Sequence, residues 1–453
     1  MKPLNAPTKT LAVIGAALLT TIAIETRLGF PGEREAGYGE TLGVFVGLAC
    51  GSALLYLGSV RVVLRGGLSR RALWGILSCA VLMRVLALSD APFLSTDIYR
   101  YVWDGRVQSA GINPYLYIPD APALTALRDG EIFPRINRAH YAPTIYPPMA
   151  QAIFFLVGQA SSTVFAMRVA MVGFEVLAIF VIMKLLDIAG LPRERVLIYA
   201  WNPLAVWEFA GNGHIDAAAI AFIALAILAS VRGRAVLAGA ALGAAVLVKF
   251  LPAVIFPALW RRWDFKLPAA CAVVIAVFYL LYANAGEKVF GFLPGYFAEE
   301  DLVNGNGFYY PFALAHLSIS LPPMAYPIFA VTVLAVLAWW VAFVRKAEYA
   351  EAARVIPVAR HTLLLATASM IAITPHYAWY FAWLALPACL APSYSILYLT
   401  VAAFFLYLDR NHNELLWRGL VYGVFPVLAA IEFWLDRRFA TRANAPPFSP
   451  RRP

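Results

Sequence analysis

Residues 41–60 pass without a single charged side chain, and residues 324–344 do the same with only Pro327 interrupting them. Runs of about 17–25 apolar residues match the thickness of a bilayer's hydrocarbon core. Lipid offers a backbone amide no hydrogen-bond partner, so such runs must be helices or the strands of a closed barrel. A barrel needs apolar and polar residues alternating over about ten positions, and no such alternation occurs here. The expectation is an all-α polytopic membrane protein. Composition agrees: 62% of the 453 residues are hydrophobic and 14% are charged, against about 45–50% and 25% in soluble domains.

Cys50, Cys79, Cys271 and Cys389 lie inside apolar stretches at unrelated spacings. They read as small buried hydrophobes, with no disulfide framework and no CxxC metal site. A net charge of +10 raises the question of nucleic acid. The basic residues, however, fall in short clusters between apolar runs: Arg61, Arg65, Arg70 and Arg71, then Arg193 and Arg195, Arg232 and Arg234, Arg261 and Arg262. That is the positive-inside pattern of a membrane protein, and no nucleic-acid partner is expected.

The same rule orders the chain across the membrane. Lys2 and Lys9 followed by residues 10–24 read as a retained signal anchor. Crossings at 11–24, 41–59 and 72–89 place the acidic loop with Glu25, Glu33, Glu35 and Glu40 outside, and with it the long segment 89–148. Residues 149–159 are too short to cross and are expected in the interface. Crossings near 164–186, 196–210, 214–230, 235–260 (broken around Lys249 and Pro252), 267–284, 324–344, 361–374, 376–391, 393–408 and 417–434 bring the total to about 12–14 transmembrane helices.

Polar residues that this topology puts at one outer face are costly at membrane depth, and function is the usual reason to keep them. The segment 89–148 supplies Asp97, Tyr99, Arg100, Trp103, Asp104 and Tyr146; later segments supply Asn202, His214, Asp216, Lys249, Asn304, Asn306, His376 and Tyr377. Asp97 and Asp104 are seven residues apart and so share a helix face. Either could serve as a general base at a cavity mouth; the alternative is a solvated amphipathic helix capped near Asp97. G-N-G-H-I-D at 211–216 is a turn. In it His214 would donate to a phosphate or hydroxyl, or merely cap, and Asp216 would orient it or serve as a first-turn helix acid. One His-x-Asp spacing does not make a metal site. Lys249 and Arg168 either snorkel to headgroups or pair with a lipid phosphate. The aromatics at 377–383 read first as an interfacial belt.

S-T-D-I-Y-R-Y-V-W-D-G with G-I-N-P-Y after it, I-Y-P-P-M-A-Q, W-N-P-L-A-V-W-E, G-N-G-H-I-D and P-H-Y-A-W-Y follow one another from about residue 70 to 385. In this order they resemble the GT-C class of integral membrane glycosyltransferases, and within it bacterial polyprenyl-phosphate-mannose-dependent mannosyltransferases. The resemblance implies one transmembrane domain over 1–453, with 89–148 as an extracytoplasmic catalytic loop bearing short amphipathic helices. It implies an inverting transfer of a hexose, most simply mannose, from a polyprenyl-phosphate-linked donor to a glycolipid or glycan acceptor. Asp97 matches the base of the class, with Asp104 as a second acid. His214, Asp216, Lys249, His376 and Arg168 would hold the donor's phosphate or sugar, and Tyr99, Arg100, Trp103, Tyr146, Asn202 and Tyr377 would line the cavity. No metal or cofactor is implied. The expected location is the inner (cytoplasmic) membrane, with the site on its periplasmic face and membrane lipids around it.

Two other readings explain many spans. A lipid or glycolipid flippase would need no chemistry, but the internal repeats and midplane polar sites of many transporters are missing. A lipid-linked glycan ligase would want an arginine-rich late outer loop, and residues 285–310 offer only Lys288.

Overall fold

The computed structural model of the chain describes residues 5–31, 36–300, 310–316, 318–319, 322, 324–344, 350–409 and 414–443. The expectations for Lys2, Glu33, Glu35, Asn304 and Asn306 lie outside the described residues. Among the described residues there is no strand. Six helices are long and apolar enough to cross a membrane: Ala6–Glu25 (α1), Tyr38–Arg65 (α2), Val164–Ile188, Ala325–Val344, Glu351–Ile373 and Leu415–Arg438. The pair Lys266–Leu280 and Ala283–Glu299, bent by 112°, makes a seventh if it counts as one span. Five shorter apolar helices accompany them: Ala72–Leu88 (α3), Pro148–Ala160, Asp216–Val231, Ala235–Val248 and Tyr394–Leu408.

The expected total of about 12–14 crossings included these short and broken pieces. Hydropathy reports an apolar run but not a break inside it. Residues 196–210 are one such run, and the chain there forms a turn of helix at Leu197–Ala200, restarts at Pro203–Ala205 and widens into a π-helix at Val206–Gly211. Pro203 has no N–H to donate. Asn202 supplies the cap instead, accepting from the N–H groups of Leu204 and Ala205 at 3.0 and 3.3 Å. Nearly every residue from Val196 to Ala221 is buried. By contrast, Lys266–Leu280 buries only Leu267. The broken segment is the centre of the protein, and the regular helices ring it.

The buried Arg84 and Glu25 each take a partner from another element, since a charged side chain left without one would be costly at that depth. Arg84 of α3 meets Glu175 of Val164–Ile188 at 2.7 Å and also donates to the carbonyls of Ala80 and Ala200. Glu25 at the end of α1 accepts from the Trp207 indole at 2.9 Å.

The segment 89–148 forms a helix at Asp97–Ser109 (α4) and 3-10 turns at Pro122–Leu127 and Phe133–Arg135. α4 packs along Pro148–Ala160 (α5). Gly105 has no room for a Cβ, because the carbonyl of Phe154 occupies the space, and the Tyr101 ring stacks on Phe154 at 4.6 Å. Nine of the thirteen residues of α4 are buried, so the solvated amphipathic helix does not form.

Candidate active site

A cavity of about 1820 Å³ opens beside the first turn of α4. The approach to that turn is clamped from the core. Asn212 Oδ1 accepts from the backbone N–H groups of Phe93 and Leu94 at 3.3 and 3.0 Å. Gly213 sits at φ +74°, with Ile98 and Arg168 filling the place where a Cβ would go. The G-N-G turn thus presses directly against α4 and fixes where Asp97 stands.

Asp97 lines the cavity and is half-buried. The Asn137 amide donates to its Oδ1 at 2.7 Å, while no described residue donates to Oδ2. Around it the cavity wall is polar on one side. Arg135 donates to the Tyr99 hydroxyl at 3.2 Å, with its guanidinium 5.3 Å from the centre of that ring. Arg138 pairs with Glu299 at 2.7 Å. Lys249 pairs with both oxygens of Asp216, at 2.8 and 3.0 Å, and lies 4.0 Å from the centre of the Tyr380 ring. The Tyr377 hydroxyl donates to Glu300 at 2.6 Å. Elsewhere the wall is aliphatic, with Leu251, Val254, Leu334 and Ile373.

The charges on this wall are unevenly balanced. Arg100, Arg138 and Lys249 each face a carboxylate within 4.0 Å. Among the described residues Arg135 is the one lysine or arginine on the wall that does not. Beside Asp90 and Asp409, the wall therefore offers Asp97 with an open Oδ2, and one guanidinium without a carboxylate partner. A base and a free cation on one cavity suit removal of a proton beside a developing anion.

The structure brings Asp97, Tyr99, Arg100, Tyr146, Lys249, His376 and Tyr377 to the cavity and leaves the other expected site residues behind it. Asp104 does share a face with Asp97, but two turns on it is 1% exposed and fully engaged. Arg100 meets its Oδ1 at 2.8 Å, and Gln151 donates to its Oδ2 at 2.8 Å. A carboxylate so held cannot take a proton from a substrate, and it is a strut of the α4–α5 contact. Trp103 is buried against Phe133. Arg168 is turned inward, donating to the carbonyls of Ala87, Asp90 and Ala210. It cannot reach a phosphate in the cavity. Asn202 is the cap described above and donates to Thr400 at 2.9 Å. His214 is 1% exposed, 3.4 Å from Glu208 and stacked under Trp379 at 4.0 Å. Asp216 reaches the site only through Lys249.

Arg135, Asn137, Arg138 and Tyr296 were not expected. Arg135 ends a 3-10 turn, Asn137 and Arg138 follow it in irregular chain, and Tyr296 sits in the short helix Leu293–Glu299; the one signal they carry in sequence is their place in the segments 89–148 and after residue 284. Among the described residues no three His, Cys, Asp or Glu side chains gather as metal ligands.

Residues 11–263, more than half of the chain, match the family described as alpha-(1->6)-mannopyranosyltransferase, N-terminal domain. No curated protein and no solved structure matches the chain.

Proposed function

The chain belongs to the alpha-(1->6)-mannopyranosyltransferase family, and from that premise we propose that it moves mannose, with inversion, from a polyprenyl-phosphate-mannose donor to a glycolipid or glycan acceptor. Membership makes it a membrane mannosyltransferase; the donor, the acceptor and the extracytoplasmic side of the reaction are this proposal. The whole chain acts as one domain, with residues 89–148 as its catalytic loop. The observation that carries the reading is Asp97, with Oδ2 open, on a cavity that is polar on one side and aliphatic on the other. A lipid-linked sugar has that same division.

In this mechanism Asp97 Oδ2 takes the proton of the acceptor hydroxyl as its oxygen attacks the anomeric carbon. The bond from that carbon to the phosphate oxygen breaks, and the electron pair leaves with the polyprenyl phosphate. Attack from the opposite face inverts the centre, as in the inverting glycosidases that place water there. An α-linked product then requires a β-linked donor. Arg135, the wall cation without a carboxylate partner among the described residues, is assigned to the leaving polyprenyl phosphate, a phosphomonoester. The basic clusters read from the sequence place the opposite loops in the cytoplasm, which supports reaction at the outer face of the inner membrane.

Purified protein given polyprenyl-phosphate-mannose and a mannoside acceptor should transfer the sugar, whereas a nucleotide-linked mannose should be inert. Asp97→Asn should lose activity by about 10²–10⁴, the usual weight of a general base, at unchanged folded yield. Full activity in that variant would remove the base assignment. Transfer from the nucleotide donor alone would remove the lipid donor.

A further inference from the structure

Asn137 lies forty residues beyond Asp97, in the stretch between the 3-10 turn Phe133–Arg135 and Pro148. We propose that Asn137 is a positioning residue that selects which oxygen of Asp97 acts as base, an inference that rests on the mannosyl-transfer reading above. An ionised carboxylate only accepts hydrogen bonds, so the group facing it must be the amide nitrogen of Asn137 and not its oxygen. The bond of 2.7 Å occupies Oδ1. Oδ2 is left as the oxygen that can receive a proton.

The amide is itself held in place. Ile136 before it is buried, and Arg138 after it sits at φ +55° and is tied to Glu299 at 2.7 Å. Asn137 is therefore presented by a backbone fixed at both sides, as a group that sets another's orientation must be. Among the charged and titratable groups around Asp97, Tyr101 stands on α4 itself, and Arg138 and Tyr146 belong to the chain between the 3-10 turn Phe133–Arg135 and α5. Lys249, its partner Asp216 and Tyr407 face it from three other elements. Asn137 is the group that touches its carboxylate.

The test is the pH profile of kcat/KM for mannose transfer by wild type, Asn137→Ala and Asn137→Asp. Replacing the amide by a second carboxylate makes the two acids share a proton, which raises one of their pKa values strongly. Asn137→Asp should therefore move the acid limb upward by about one unit or more, with activity returning at high pH. Asn137→Ala should lower kcat about tenfold or more, leave the KM of donor and acceptor within about twofold, and melt in detergent like wild type. A wild-type acid limb in Asn137→Asp overturns the proposal. So does a raised KM at constant kcat in Asn137→Ala, which would make Asn137 a sugar contact. Should Asn137→Asp not fold, the alanine variant decides through its kcat and KM. If Asp97→Asn stays active, it is the base assignment that fails. If Asp97→Asn is dead and the limb of Asn137→Asp is unmoved, only the role of Asn137 fails.

Discussion

Lys249 reaches the cavity already neutralised, because both oxygens of Asp216 lie within 3.0 Å of its ammonium. A mostly buried pair of this kind is costly to break from one side, since the remaining charge is stranded. Lys249→Met should lower stability by about 3–5 kcal/mol, and Lys249→Met with Asp216→Asn should recover most of that loss. Melting in detergent reads both. A double variant that melts like wild type yet shows a donor KM raised more than about tenfold would return Lys249 to the phosphate.

Arg135 carries the opposite expectation. It has no carboxylate partner among the described residues, so its charge is available to the donor. A hydrogen bond to a charged group contributes about 1.5–3 kcal/mol, and each 1.4 kcal/mol is a factor of ten. Because Arg135 is exposed, the lower end applies. Arg135→Ala should raise the donor KM about tenfold, and Arg135→Lys should restore part of it. An unchanged donor KM in the alanine variant would sink the assignment.

Gly105 is where α4 and α5 touch backbone to backbone, against Phe154 and Gly158. A methyl group there has to push α5 away. Gly105→Ala should cost about 1–3 kcal/mol by overpacking and, by tilting α4, should reduce activity as well. Gly43→Ala, inside α2 with nothing near its Cβ, is the control: it should not lower melting, and the gain in helix stability of about 0.5–1 kcal/mol would raise it slightly.

Asp129 ties the segment 89–148 to itself. Burial pushes its carboxyl upward, but the N–H groups of Ile132 and Phe133 and the Arg106 guanidinium outweigh that and hold it below the usual carboxylate value. A carboxyl with a depressed folded pKa adds stability that is complete above its unfolded value of about 3.9 and lost as pH falls through the folded value. The protection of the Ile132 and Phe133 amides, measured against their intrinsic exchange rates, should fall below about pH 4. In Asp129→Ala, which has no acceptor, it should be lost at every pH, and protection that survives in that variant would contradict the account.

The helical membrane class, the acid at the first turn of α4 and the break at Lys249 were legible, because apolar runs and helix-breaking residues leave marks on a linear pattern. The sequence did not separate Asp97 from Asp104. Both sit on one face, and what distinguishes them is the cover supplied by Arg100 and Gln151, the latter from a different helix. Arg168 and His214 misled for a related reason: a polar residue at membrane depth signals that it has partners, without saying whether those are substrate or backbone carbonyls. Asn137 and Arg135 were invisible, because their meaning lies in distances across a loop of irregular chain.

The pairing of Arg84 with Glu175 bears on how the protein is made. The two partners lie 91 residues apart in the chain, so a buried arginine gains its counter-ion only when α3 and the helix Val164–Ile188 have come together. Everything between them, residues 89–148 included, is thereby closed into a loop whose two ends are stapled at the core.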